Sequence, residues 1–183
     1  DAINTQISEA ITDKMNTTTI KAQPFQNIGV TISAVDRADQ FAGFRQVATN
    51  AQNEPAYLLS FSITPDEPAF SNMAQVLASS FMISLPNATT TSGVIDIDLI
   101  HSGRAQLVDQ QGNAWEFSHL STLADYHIGQ QAGGDLSGGN QYIGLSPFTA
   151  WTLQLLANNN PGLDLSQVSE VTISFSGYYY PMT

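Results

Sequence analysis

Cysteine is absent from this sequence of 183 residues, and bases are scarce: five Lys and Arg stand against 16 Asp and Glu, a net charge of -11. The first absence excludes disulfides, Cys-ligated zinc and a thiol nucleophile. The second excludes a basic stripe able to neutralise phosphates, so neither nucleic acid nor an anionic membrane is an expected partner. Lys14, Lys21, Arg37, Arg45 and Arg104 are too scattered to build a phosphate site. No apolar run approaches the ~18 residues of a spanning helix, so no transmembrane segment is expected. Charged residues make up only 11% of the chain, and Ser, Thr, Asn and Gln take their place. Low lysine with abundant uncharged polar residues is the habit of secreted or surface-assembled β proteins. The expected location is therefore outside the cell or on its surface, in a bacterial setting. Opening on Asp1 rather than Met fits a processed product or an excised domain. Hydrophobic residues reach 42%, enough for one packed domain.

Two periods divide the chain. In residues 1–18, Ile3, Ile7, Ile11 and Met15 recur every fourth position on an otherwise polar segment. This spacing predicts an amphipathic helix with one narrow apolar stripe. Such a helix is marginal alone in water. The stripe is therefore expected to pack on something, and oligomerisation through Ile3, Ile7, Ile11 and Met15 is the favoured outcome. From Pro24 the period becomes two. Val30/Ile32, Leu59/Phe61/Ile63, Phe81/Ile83/Leu85, Ile95/Ile97/Leu99, Trp115/Phe117, Trp151/Leu153/Leu155 and Val171/Ile173/Phe175 alternate with polar neighbours. With one more strand before Asp109, about eight half-buried strands are expected. Trp115 and Trp151 share the apolar parity and are expected in the core.

Two stretches interrupt the strands. Asp36 to Asn50, with Phe41, Phe44 and Val47, predicts a short helix capped by Asp36. Pro68 to Ser80, with Phe70, Met73, Ala74 and Leu77, predicts a second. Turns are expected around Gly112, at Asn158–Gly162 and in the glycine-rich stretch Gly133–Gly139. The expected fold is mostly β: an antiparallel β-sandwich, jelly-roll-like, with an N-terminal helix and one or two short helices. A closed barrel is the alternative. The boundaries are 1–23 for the helix and linker and 24–183 for the sandwich.

Little in the chain calls for catalysis. There is no HExxH, no pair of histidines four apart and no GxSxG elbow. His101 and His119 fall in the apolar parity at strand ends, where a hydrogen-bonded structural histidine is the ordinary reading. Asp96 and Asp98 share one strand face and could seed a Ca²⁺ site or an acid/base pair, though a solvated face that blocks edge pairing is commoner. Asp135, in its glycine loop, is the better-placed candidate for a weak Ca²⁺ site. No other cofactor and no tightly held transition metal is expected. Tyr178, Tyr179 and Tyr180 form a run in which at least one ring must face outward, and tyrosine serves protein and sugar contacts alike.

The stretch Ser146-Pro147-Phe148, then Trp151-Thr152-Leu153-Gln154-Leu155, then Leu163 to Val171 and a strand reaching Tyr178, resembles the C-terminal β-sandwich of A subunits from bacterial Tc (toxin complex) insecticidal toxins. Leu85-Pro86 after Phe81 and Ile83 matches an upstream feature of that family. Ser169-Glu170-Val171 stands where the family has Ser-Asp, and the family's basic residue after the last strand is missing. The resemblance implies a non-catalytic role in docking partner subunits within a ring of identical chains. The expected function is a secreted, non-enzymatic binding or assembly module with a protein partner or a second copy of itself. A carbohydrate-binding sandwich acting alone and a subunit of an extracellular filament are the alternatives.

Overall fold

A computed structural model describes residues 21–138 and 144–183. The predicted N-terminal helix, with Ile3, Ile7, Ile11 and Met15, lies outside the described residues. Ten strands follow in chain order: β1 (Gln23–Ser33), β2 (Ala48–Thr49), β3 (Pro55–Ser62), β4 (Met73–Ser84), β5 (Ile95–Val108), β6 (Ala114–Ser118), β7 (Thr122–Ile128), β8 (Gly134–Asp135), β9 (Thr149–Leu156) and β10 (Glu170–Pro181). One sheet runs β1-β10-β4-β8, and the other runs β2-β3-β9-β5-β6, with β7 also on β5.

Every pairing among the described residues is antiparallel, and four of them are nested. β5 pairs β7, β4 pairs β8, β3 pairs β9 and β1 pairs β10. A single long hairpin has thus been rolled so that successive pairs alternate between two facing sheets. That is the connectivity of an eight-stranded jelly roll. The short β2 and the β6 arm are additions to it.

The period-two pattern builds the core. Val30, Ile32, Phe81, Ile83, Val171, Ile173 and Phe175 face inward from the narrower sheet. Leu59, Phe61, Ile97, Leu99, Trp151, Leu153 and Leu155 face inward from the wider one, and all are buried in one cluster. Trp151 meets Phe175 at 5.7 Å across the two sheets. Each such side chain contributes roughly 1.5–3 kcal/mol through removal from water.

The helix predicted over Asp36–Asn50 is shorter, α1 (Ala38–Phe44). Its cap is also not Asp36: Arg37 occupies that position, and no side chain caps the first turn. Packing of Phe41 and Phe44, both fully buried, holds the helix in place of a cap. Arg45 ties its end to the loop before β10 through an Nη2 bond to the Val168 carbonyl at 2.6 Å.

The helix predicted over Pro68–Ser80 is not there. Only Pro68–Phe70 makes a 3₁₀ turn, and β4 begins at Met73. Ala74, Val76 and Ala78 are buried alternately, and then Phe81 and Ile83 are. The phase slips by one residue between Ala78 and Phe81, where the pairing with β10 shifts register. A bulge inserts one unpaired residue and so breaks strict alternation. The helical spacing of Phe70, Met73, Ala74 and Leu77 has another origin: Phe70 belongs to the 3₁₀ turn, and half-buried Met73 and Leu77 lie on the opposite face of β4 from Ala74. Gln75, at φ 48, marks a second irregularity in the same strand.

Candidate functional site

Two surfaces stand out: the end of the sandwich reached by β6, and the outer face of the wider sheet. The first is made by a kink in β5. Gly103 has φ +85, and a Cβ there would lie 2.4 Å from the His119 carbonyl oxygen. Only glycine lets β5 turn here while its carbonyl accepts from the His119 N–H at 2.8 Å. Beyond the kink, the pairing with β9 shifts register, and β5 runs on with β6 at its side.

His101 sits at this kink, fully buried. Its Nδ1 accepts from the Gly103 N–H at 3.0 Å, and its Nε2 lies 3.1 Å from the Ser146 carbonyl oxygen. One acceptor and one donor describe a neutral imidazole with both nitrogens satisfied. Burial holds its pKa below the ordinary value, and neighbouring His119 pushes the same way. Its ring lies 4.8 Å from His119 and 4.9 Å from Trp151. This histidine serves the fold.

In the β5–β6 register, Ala105 opposes Phe117 and Leu107 opposes Trp115. Opposed residues of an antiparallel pair share a face, and Ala105 is buried. Trp115 therefore has the inward parity the sequence assigns it. Yet it is not in the core: it remains 64% exposed. Among the described residues, the narrower sheet ends at β8, which has only two residues, and the β6 arm is exposed along most of its length. The indole is also oriented. Asp109 Oδ2 accepts from its Nε1 at 3.3 Å and from Asn113 Nδ2 at 2.9 Å, and Oδ1 accepts the Gln111 and Asn113 N–H groups. These bonds, those from Asn113 foremost, keep the Asp109 carboxyl below its usual range. One edge of Trp115 is fixed while the ring stays open to water.

Beside the arm is a cleft of about 470 Å³. Ile63, Phe117 and Phe148 give it apolar walls, and Gln106, Glu116 and Thr149 are among its polar ones. The end of β10 reaches the same region, since the Thr183 N–H donates to the Gln110 carbonyl at 3.0 Å. The tyrosine run lies earlier on β10, between β1 and β4. Tyr178 is 48% exposed. Tyr179 turns inward, 6.4 Å from Phe25, with its hydroxyl 3.1 Å from Gln23 Oε1. Tyr180 is half-buried. Of the three, Tyr178 offers the most accessible ring. Asp135 stands on β8, opposite Ser80, and its Oδ1 accepts from the Ser137 N–H at 2.7 Å and the Ser137 hydroxyl at 2.6 Å.

The second surface carries groups that sequence reasoning did not bring together. Asp96 opposes His127 and Asp98 opposes Asp125 on neighbouring strands. His127 Nε2 lies 3.3 Å from Asp96 Oδ2, and its Nδ1 lies 3.6 Å from Asp125 Oδ2. Asp98 accepts from Gln154 Nε2 at 3.0 Å, and Gln154 Oε1 accepts from Asn50 Nδ2 at 3.2 Å. Asn50 also donates to Glu54 at 3.1 Å. Burial raises the Asp98 pKa, with the charges of Asp96, Asp125 and Glu54 adding to it and the Gln154 bond opposing it. Alternation places Asp125 and His127 on one face of a strand. Only the register across β5 and β7 sets them against Asp96 and Asp98.

No protein-family model matches this chain, and no curated protein matches it. Among solved structures, the full particle of Israeli acute paralysis virus heated to 63 degrees is similar at 14% identity, over 86% of this chain and 71% of that one, with a TM-score of 0.19. A crystal structure of the pentamer of the same virus is similar at 14% identity, over 86% and 88%, with a TM-score of 0.20. Superpositions this poor bear on neither the fold nor the function.

Proposed function

We propose that this chain is a non-catalytic binding and assembly module that docks a protein partner through the β5–β6 end of the sandwich. One observation carries the reading: Trp115 has inward parity, is anchored at its indole N–H by Asp109, and still lies 64% exposed. A large aromatic held rigid and left uncovered loses little conformational entropy on contact, and such residues anchor protein interfaces. Tyr178 and Met182, both partly exposed near the end of β10, offer further apolar surface for contact. β1 also begins at this end, opposite Tyr179. The fourfold spacing of Ile3, Ile7, Ile11 and Met15 in the sequence, an apolar stripe on a polar segment, favours a second copy of this chain as the partner. The resemblance of residues 146–178 to the Tc toxin sandwich supports the same class of function, docking within an assembly of identical chains. The composition supports a secreted or surface setting.

A saccharide is the second reading, favoured by the cleft beside Phe117 with its Gln106, Glu116 and Thr149 walls. Sedimentation of the full chain at high micromolar concentration separates the two. Self-docking predicts an oligomer that Trp115→Ser weakens while circular dichroism stays unchanged. A wild-type monomer that binds a glycan array, with binding lost in Trp115→Ser, replaces protein docking with sugar binding.

A further inference from the structure

We infer that Asp96 and His127, with Asp125 behind the imidazole, form an exchangeable divalent-cation site on the outer face of the wider sheet, suited to a borderline ion such as Zn²⁺. The nearest ligand atoms of Asp96, Asp125 and His127 all lie within 4.8 Å of one another. The arrangement is set by backbone register: residues 96 and 127 are directly opposed across β5 and β7, as are 98 and 125.

The imidazole is what points to a metal. Both of its nitrogens face carboxylate oxygens, Nε2 toward Asp96 and Nδ1 toward Asp125. A neutral imidazole carries a single N–H. If Nδ1 donates to Asp125, the Nε2 lone pair faces an anionic oxygen at 3.3 Å. A cation between them turns that repulsion into two bonds. With metal–ligand bonds of ~2.1 Å, this separation subtends roughly 104° at the metal, close to the tetrahedral angle zinc takes. Asp125 then acts as the outer carboxylate that fixes the ring tautomer, a recurrent partner of zinc-bound histidine. Asn159 Nδ2, 3.4 Å from Asp96 Oδ2, steadies the other ligand.

The surrounding charge has the right sign. Asp98 faces Asp125 directly across the strands, and like charges so placed destabilise a sheet unless something neutralises them. Glu54 joins the same field through Asn50 and Gln154. Among the described residues, no Lys or Arg forms an ion pair with any of these carboxylates; the base beside them is His127. Two direct protein ligands with water completing the shell make a loose site, distinct from a tightly held structural zinc.

Titration of the full chain with zinc chloride at neutral pH, followed by calorimetry, tests this. One saturable equivalent is expected in the micromolar to sub-millimolar range. His127→Gln and Asp96→Asn should each weaken it at least ~10-fold, and Asp125→Asn, as an outer-shell change, by about 10-fold. Circular dichroism checks that each variant is folded. On zinc addition the His127 Nε2 resonance should shift in long-range ¹H–¹⁵N spectra. Asp135→Asn should change nothing. Absence of saturable binding up to the millimolar range overturns the inference. So does zinc binding that survives His127→Gln but is lost in Asp135→Asn.

Discussion

The two outer faces of the sandwich follow the same alternation and differ in where they place their charge. On the narrower sheet, the carboxylates of Glu170 and Asp135 stand at the margins, opposite Ser33 and Ser80, and the central outward pairs Thr31–Thr172, Thr172–Ser84, Ser174–Met82 and Ser176–Ser80 hold no charge. Their contacts are hydroxyl to hydroxyl or hydroxyl to backbone, such as Thr31 Oγ1 to Thr172 Oγ1 at 2.8 Å. On the wider sheet the outward pairs include Asp96–His127, Asp98–Asp125 and Asp98–Gln154. The lesson is that alternation demands only non-apolar residues outside. It leaves free whether that face is inert or charged. Self-contained hydroxyls ask for nothing beyond water. Opposed carboxylates depend on a donor, a proton or a cation, so the wider face is the one that responds to its surroundings.

The contrast breaks most visibly at Gln154, the nearly buried amide between the two halves of the acidic network. Gln154→Leu keeps the bulk but strips Asp98 of its donor and Asn50 of an acceptor. Unmatched polar groups at such a site cost about 1–3 kcal/mol, and thermal unfolding should show the loss directly. A Tm within experimental error of wild type would show that the network stabilises nothing.

Asp98→Asn sharpens the comparison with a sign. The folded-state pKa of Asp98 is raised above its unfolded value. Its favourable contribution is therefore present below the unfolded pKa and lost as pH rises through the folded one. At neutral pH the ionised carboxylate is a burden, and Asn relieves it while still accepting from Gln154. The substitution should raise Tm by roughly 1–3 °C at neutral pH, a size kept small by solvent screening. The gain should vanish below about pH 4, where wild-type Asp98 is itself protonated. A destabilised variant at neutral pH contradicts the assignment.

The smallest effect belongs to the inert face. Thr31→Val removes the bond to Thr172 but keeps the β-branched shape of an exposed strand residue. The change in stability should stay within ~0.5 kcal/mol and be independent of pH. A pH-dependent loss would mean that the two faces are less separate than their composition indicates.

Much of this was legible in the residues. Ile95, Ile97 and Leu99 announce β5, and Trp151, Leu153 and Leu155 announce β9, because a half-buried strand needs that alternation and no other element does. The jelly-roll-like sandwich follows from several such strands between turns. Three things were not legible, each for a physical reason. Phe70 belongs to the 3₁₀ turn, and Met73 and Leu77 lie on the opposite face of β4 from buried Ala74, so residues of two elements and two faces counterfeit a helical repeat. The exposure of Trp115 is a tertiary quantity that the parity of one strand does not contain. The Asp96–His127–Asp125 group depends on cross-strand register, which ties residues 31 positions apart that have no sequence pattern in common.

The nesting of the strand pairs bears on how the chain is made. His101 and Ser121, at the β5–β7 turn, bond across 20 residues. Ser60 and Thr152, on β3 and β9, do so across 92, and Asn27 and Ser176, on β1 and β10, across 149. Each pair encloses the one before it, so the hairpin can close from its tip outward, every step bringing together strands already drawn near. Loop-closure cost is then met in small increments rather than all at once. The outermost strand pays in time. At roughly 5–20 residues per second of synthesis, β1 leaves the ribosome about 7–30 s before β10, its partner among the described strands, exists. Through that interval its backbone donors and acceptors stand open to any other strand, including the β10 of a neighbouring nascent copy. Exchange of the first strand between two chains is therefore the misassembly this topology invites.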